Sequence, residues 1–199
     1  MSATGLSVDR EAVRERHVIV GLSGGIACYK LAPVVSALAQ AAARVTVVMT
    51  EGATRFIAPL TFQALSGNPV YADLWQHLES SDPQHIRLAR AADLMLIAPA
   101  TMNMLAKLAG GRTDDVVSLV ASAIDLTRQS ILLAPSMNEV MWNQASTRRN
   151  VAQLQADGFE LIQPDSGWQA CRTEGVGRLA DPQAILDALS CRLRTSRLG

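Results

Sequence analysis

Five short runs rich in valine, isoleucine and leucine recur along this chain, at 17–21, 44–50, 93–98, 130–134 and 159–163, with amphipathic stretches between them. After Gly25, residues Leu31, Val34, Val35 and Leu38 keep the i, i+3, i+4, i+7 spacing of a helix with one apolar face. Pro33 falls inside that pattern, so it either kinks the helix or marks its first turn. Strands that are apolar throughout need both of their faces covered. Alternating them with helices predicts a single-domain α/β fold: an open parallel sheet with helices on both faces, Rossmann-like or flavodoxin-like. The expected domain is 16–195, closed by a helix over 182–194. The polar stretch 1–15 carries both signs of charge and reads as a flexible tail.

Composition narrows the function classes. The chain has 199 residues, 49% of them apolar and 18% charged, enough to bury a sizeable core. Lysine plus arginine equals aspartate plus glutamate at 18 each, so there is no basic footprint for a nucleic acid. No apolar run approaches the roughly 20 residues a bilayer span requires. The first residues lack the apolar core of a signal peptide. Three cysteines, Cys28, Cys171 and Cys191, form no paired framework and suit a reducing cytoplasm. Three scattered histidines without a CxxC or HxxxH spacing predict no metal site.

The unusual residues sit where the predicted strands end. The first strand runs into Ser23-Gly24-Gly25, the second into Thr50-Glu51-Gly52, and the third into Thr101-Met102-Asn103-Met104. The fourth runs into Pro135-Ser136-Met137-Asn138-Glu139-Val140-Met141-Trp142. The fifth runs into a glycine-rich flap that ends at Gly177-Arg178. In a parallel sheet all these ends share one edge, where such folds bind ligands. Ser23-Gly24-Gly25 between strand and helix suits a phosphate, or is simply a tight turn. One such turn without a Walker lysine or a GxGxxG pattern fits a mononucleotide better than a dinucleotide. Asn138 carries an acceptor and two donors. Its octapeptide is either a ligand-fixing loop or a core plug in which Met137, Met141 and Trp142 are packing. His85, opening a short helix after a polar loop, is either structural or a proton-transfer group. Cys171 in the flap is a candidate reactive thiol, while Cys28 and Cys191 read as small apolar filler.

These residues resemble the homo-oligomeric flavin-containing cysteine decarboxylases over about 16–183. Pro135-x-Met137-Asn138-x-x-Met141-Trp142 satisfies the family's P-x-M-N-x-x-M-W signature. Gly21-Leu22-Ser23-Gly24-Gly25-Ile26-Ala27 with Tyr29-Lys30 looks like its first turn, and His85-Ile86-x-Leu88 like its histidine segment. Ala170-Cys171 with Gly175-x-Gly177-Arg178 looks like its substrate flap. Two departures stand out. The third loop has Met104 where the family carries threonine, and Arg172 follows Cys171 where the family carries glycine.

The resemblance implies FMN as cofactor, held by Ser23, Gly24, Gly25, Thr50, Gly52, Thr101, Met102, Asn103, Met104 and Ser136. It implies a substrate held by Asn138, Met141, Ala170 and Arg178, with His85, Asn138 and Cys171 as catalytic residues. It implies redox-neutral decarboxylation of 4′-phosphopantothenoylcysteine to 4′-phosphopantetheine through a thioaldehyde, in trimers or trimer-based assemblies. Three other readings share the fold: a peptidyl-cysteine decarboxylase, a prenyl-flavin synthase and a non-catalytic regulatory flavoprotein.

Overall fold

The computed structural model describes residues 5–75 and 83–195. Six strands form one parallel sheet: β1 His17–Leu22, β2 Arg44–Met49, β3 Val70–Tyr71, β4 Leu94–Ala100, β5 Ser130–Pro135 and β6 Glu160–Leu161, in the order β3-β2-β1-β4-β5-β6. The winding reverses between β1 and β4, which are hydrogen-bonded neighbours. All five of the predicted strands exist. The last is shorter than expected and pairs only over Glu160–Leu161. The two-residue β3 was not predicted, because two residues carry no readable period.

Among the described residues ten helices cover the sheet: α1 Arg10–Val13, α2 Leu31–Gln40, α3 Glu51–Thr54, α4 Pro59–Ser66, α5 Gln84–Ala91, α6 Met102–Ala109, α7 Val116–Ser122, α8 Glu139–Asn143, α9 Ala145–Ala156 and α10 Pro182–Thr195. Strand side chains alternate between two cores. Val18, Val20, Leu22, Leu96 and Leu132 pack with α1, α2 and α10. Ile19, Met95, Ile97, Ile131 and Leu133 pack with α5, α6, α7 and α9 on the other face. This two-faced burial is why β1, β4 and β5 are buried along their whole length and read as unbroken apolar runs. Pro33 lies in the first turn of α2, where its missing N–H costs nothing. Among the described residues no helix is long and apolar enough to cross a membrane.

The expected flexible tail needs correction. Asp9 caps α1, accepting from the N–H groups of Glu11 and Ala12 at 3.1 and 3.3 Å. Ala12 and Val13 are buried against α10, and Asp9 also pairs with Arg194. A single turn is too short to show helical periodicity, so two core residues were hidden in a polar context. Residues 1–4 and the polar loop over 76–82 before His85 lie outside the described residues.

β7 Asp165–Trp168 and β8 Glu174–Arg178 form a separate antiparallel hairpin. It is the flap, and it folds back onto the exit of β5. The N–H of Met137 donates to the carbonyl of Gly177 at 2.8 Å. Gly177 has φ +125°, and a Cβ there would lie 2.5 Å from the Met137 carbonyl oxygen, so only glycine permits this contact.

His17, 5% exposed, ties β1 to its neighbours. Its Nδ1 is 2.9 Å from the Ala91 carbonyl and 2.7 Å from Arg44 Nη2, and its Nε2 is 2.8 Å from Thr46 Oγ1. Burial, reinforced by the Arg44 charge, holds its pKa below the ordinary 6.5. The fold therefore prefers the neutral ring. That stabilisation is complete above pH 6.5 and is lost as pH falls from 6.5 through the lowered folded value. Chemical denaturation of wild type and His17→Gln across this window should show a loss of stability on acidification that is smaller in the variant. Equal slopes would place the titration elsewhere.

Candidate functional site

The exits of β1, β2, β4 and β5 and the flap enclose one cleft of about 1010 Å³ at the carboxyl edge of the sheet. Its lining includes Ser23, Gly24, Gly25, Thr50, Gly52, Thr101, Met102, Asn103, Met104, Ser136, Asn138, Met141, Ala170, Cys171 and Arg178. His85 is not among the lining residues; it stands half-buried on α5.

At the switch between β1 and β4 the serine plays a different part from the one its position suggested. Ser23 is 2% exposed; its hydroxyl donates to the Pro99 carbonyl at 2.6 Å and accepts from the N–H of Thr101 at 3.0 Å. It clamps the two strand ends together, and the ligand-facing groups of this turn are the Gly24 and Gly25 N–H groups. Those donors have no acceptor among the described residues. Gly24 also lets two loops touch: a Cβ there would lie 2.8 Å from the Gly52 carbonyl carbon.

Thr50 and Thr101 cap α3 and α6, accepting from the N–H groups of Ala53 and Met104 at 3.2 and 3.3 Å. Capping uses the hydroxyl oxygen as acceptor, and the Thr50 proton stays free to donate. Thr101 Oγ1 also lies 3.0 Å from Ser23 Oγ, whose own proton goes to Pro99, so the Thr101 proton serves that contact. Met102 is half-buried and Asn103 exposed at the rim, while Met104 is 1% exposed and belongs to the core beneath the cleft. The methionine at that position therefore fills the floor.

The octapeptide is both loop and plug. Trp142 is 2% exposed and sits in the core, with the Arg148 guanidinium 4.7 Å from its ring centroid. Thr147 fixes the same turn by donating to the Met141 carbonyl at 2.6 Å. Met141 itself is 42% exposed on the cleft. Asn138 caps α8: its Oδ1 accepts from the Met141 N–H at 2.8 Å. That bond fixes the amide orientation. Its Nδ2 has no partner among the described residues and faces the cleft as a donor. The Ser136 N–H donates to the Ala100 carbonyl at 3.1 Å, and its hydroxyl is unengaged among the described residues.

Several lining residues escaped the sequence reading. Lys107 is held between Asp114 and Asp115 at 2.8 and 2.7 Å. Burial pulls its pKa down, but the two carboxylates outweigh burial and raise it. Lys30 sits on a 3-10 turn, Ile26–Lys30, and its pKa is lowered by burial and then by the nearby Arg178. Lys107 follows no motif spacing, and Lys30 entered the sequence reading only as part of the first-turn motif. Gln169 was missed as well, because a polar residue in a glycine-rich hairpin reads as surface.

The flap tip is a three-residue loop, Ala170-Cys171-Arg172. The N–H of Gln169 donates to Thr173 at 2.8 Å, and the N–H of Arg172 returns to Gln169 at 2.9 Å. Arg172 has φ +65°, in the left-handed region. The last residue of such a loop is the position where glycine is favoured. Cys171 Sγ lies 3.0 Å from Thr173 Oγ1 and 3.5 Å from Gln169 Oε1.

Comparison with known proteins accords with this geometry. The flavoprotein family profile matches residues 7–194, and the chain belongs to that family. Within it, the chain is similar to the coenzyme A biosynthesis bifunctional protein CoaBC. It is 43% identical to the Haemophilus influenzae protein over 175 residues, covering 88% of this chain and 43% of that protein. It is 42% identical to the Bacillus subtilis protein, covering 87% and 42%. The chain thus spans less than half the length of these curated relatives. Among solved structures, a cysteine-to-serine mutant of PPC decarboxylase with pantothenoylaminoethenethiol superposes with TM-score 0.80 at 28% identity. That match covers 91% of this chain and 100% of the other. The FMN-dependent cysteine decarboxylase SpaF gives 0.79 at 28% identity, covering 92% and 98%.

A left-handed residue other than glycine costs about 1 kcal/mol. Arg172→Gly should therefore slow hydrogen exchange of the flap amides by about fivefold. Unchanged or faster exchange would show that the Arg172 side chain compensates for its backbone.

Proposed function

We propose that the cleft holds FMN and decarboxylates 4′-phosphopantothenoylcysteine to 4′-phosphopantetheine, as a carboxy-lyase of coenzyme A synthesis. The observation that carries this reading is the meeting of Asn138 and Cys171 in the same cleft as the three phosphate-and-hydroxyl turns. The identity to the CoaBC proteins supports the substrate assignment.

The residues present fit the cofactor. The free N–H groups of Gly24 and Gly25 and the spare hydroxyl proton of Thr50 would take its phosphate and ribityl oxygens, beside Thr101 and Gly52. Met102, Asn103 and Ser136 would border its ring. FMN held there would supply a reversible two-electron sink for the thiol end of the substrate, which would make carbon dioxide loss feasible and keep the whole reaction redox-neutral.

The protein's own part is orientation and protonation. Asn138 Nδ2 donates to the substrate carboxylate, with the amide already oriented by its cap to Met141. Met141 supplies an apolar wall that weakens solvation of that carboxylate. Ala170 and Arg178, on the flap, cover the remainder of the substrate. Cys171 donates its thiol proton as the decarboxylated product is reduced, and the resulting thiolate recovers a proton from solvent.

His85 is absent from the cleft of its own chain. Ile26, Tyr29 and Trp168 leave apolar surface at the cleft, with exposures of 56, 59 and 63%. Both facts support an assembly in which the cleft lies at a subunit contact and His85 comes from the neighbouring copy; the number of copies, at least three, rests on the family resemblance alone.

Incubating the protein with 4′-phosphopantothenoylcysteine should yield 4′-phosphopantetheine by mass spectrometry. Decarboxylation of a cysteine-terminated peptide instead would favour the peptidyl reading. Asn138→Asp should keep its flavin, because aspartate caps a helix as well as asparagine does. Its turnover should fall about a hundredfold, because a donor to the carboxylate is replaced by a like charge. Near-normal turnover would reduce Asn138 to a cap.

A further inference from the structure

The flap has an unusual anchor. Of residues 165–178, only Gln169 and Gly177 are buried; Val176 packs partly on the core, and Gln169 is the polar side chain that is buried. Its amide is fully used. Oε1 accepts from the Glu139 N–H at 3.3 Å and from Cys171 Sγ at 3.5 Å. Nε2 donates to the carbonyls of Gly175 and Val176 at 3.3 and 3.2 Å. Two acceptor sites and two donors are the whole capacity of a glutamine amide.

The partners also dictate which way the amide faces. A backbone N–H can only donate and two backbone carbonyls can only accept, so the oxygen must lie on the Glu139 side. Cys171 is on that side too. Its thiol hydrogen can serve either that amide oxygen or the Thr173 hydroxyl oxygen, 3.0 Å from Sγ. Glu139 directly follows Asn138, so one amide spans the two residues to which the chemistry is assigned.

We propose that Gln169 is a positioning residue that ties the Cys171 thiol to the Asn138 loop and sets its orientation in the cleft. This rests on Cys171 being the proton donor. The anchor couples flap closure to the orientation of the acid: when the hairpin lifts, Oε1 leaves the Glu139 N–H. The titratable groups facing the amide are Cys171 from the flap and Glu139 from α8, whose carboxylate lies against Gly175.

The test uses the holoenzyme with Gln169→Leu and Gln169→Glu. The first readout is alkylation of Cys171 by iodoacetamide at neutral pH, located by peptide mass spectrometry to separate it from exposed Cys191. Gln169→Leu should react about fivefold faster or more, the population gain expected from losing even one net hydrogen bond. The second readout is the product ratio. Decarboxylation should continue while the unreduced enethiol product, two hydrogens lighter, gains on the normal thiol. A purely structural defect would lower both products together.

Gln169→Glu is the conservative control. As a carboxylate it meets the Gly175 and Val176 carbonyls with lone pairs. Once protonated it regains a donor beside an acceptor. Its alkylation rate relative to wild type at the same pH should fall toward one on acidification, while the Gln169→Leu ratio stays constant. Wild-type alkylation and a wild-type product ratio in Gln169→Leu would overturn the proposal, as would a Gln169→Glu ratio that ignores pH. If wild type releases no decarboxylated product, the assigned reaction fails, and the alkylation arm still decides whether Gln169 locks the flap.

Discussion

An all-parallel sheet brings every strand to a close on the same edge, and the chemistry of this protein depends on that constraint. The strands need no special residues to achieve it; each must only be apolar enough to be buried on both faces. Their exits are then free to carry function. The link between β1 and β4 at the reversal of winding is the tightest of these junctions. There the Ser23 hydroxyl bridges the Pro99 carbonyl and the Thr101 N–H. Breaking that bridge would separate the glycine turn from the threonine cap that faces it.

One economy recurs around the cleft. Thr50 and Asn138 each cap a helix with an oxygen and keep a hydrogen-bond donor in reserve. The cap fixes the side-chain rotamer before any ligand arrives, so little conformational entropy remains to be lost on binding. The same residues therefore serve stability and recognition, and a substitution that preserves the cap isolates the second role.

Much of this was legible in the sequence because it is local. Apolar runs marked β1, β2, β4 and β5 to within two residues, and the odd residues after them marked the cleft. The rest depends on contacts between distant segments. α1 is one turn, and only its packing on α10 makes Val13 a core residue. Ser23 was legible as a polar residue in a turn, but its inward hydroxyl depends on Pro99, seventy-six positions away. Trp142 and Met141 are adjacent, yet one is core and the other cleft wall, which spacing alone could not divide. Gln169 gave no signal at all, since four partners from three segments define its role. The left-handed backbone at Arg172 could be anticipated only because glycine is the usual occupant of that loop position.

The central claim is that these strand ends form a flavin site, and binding tests it before any turnover is measured. Flavin-free protein titrated with FMN, followed by flavin fluorescence, should saturate at about one FMN per chain, as one cleft of ligand-binding size per chain predicts. A protein that takes up no FMN at any accessible concentration would contradict the account, whatever the arrangement of Asn138 and Cys171.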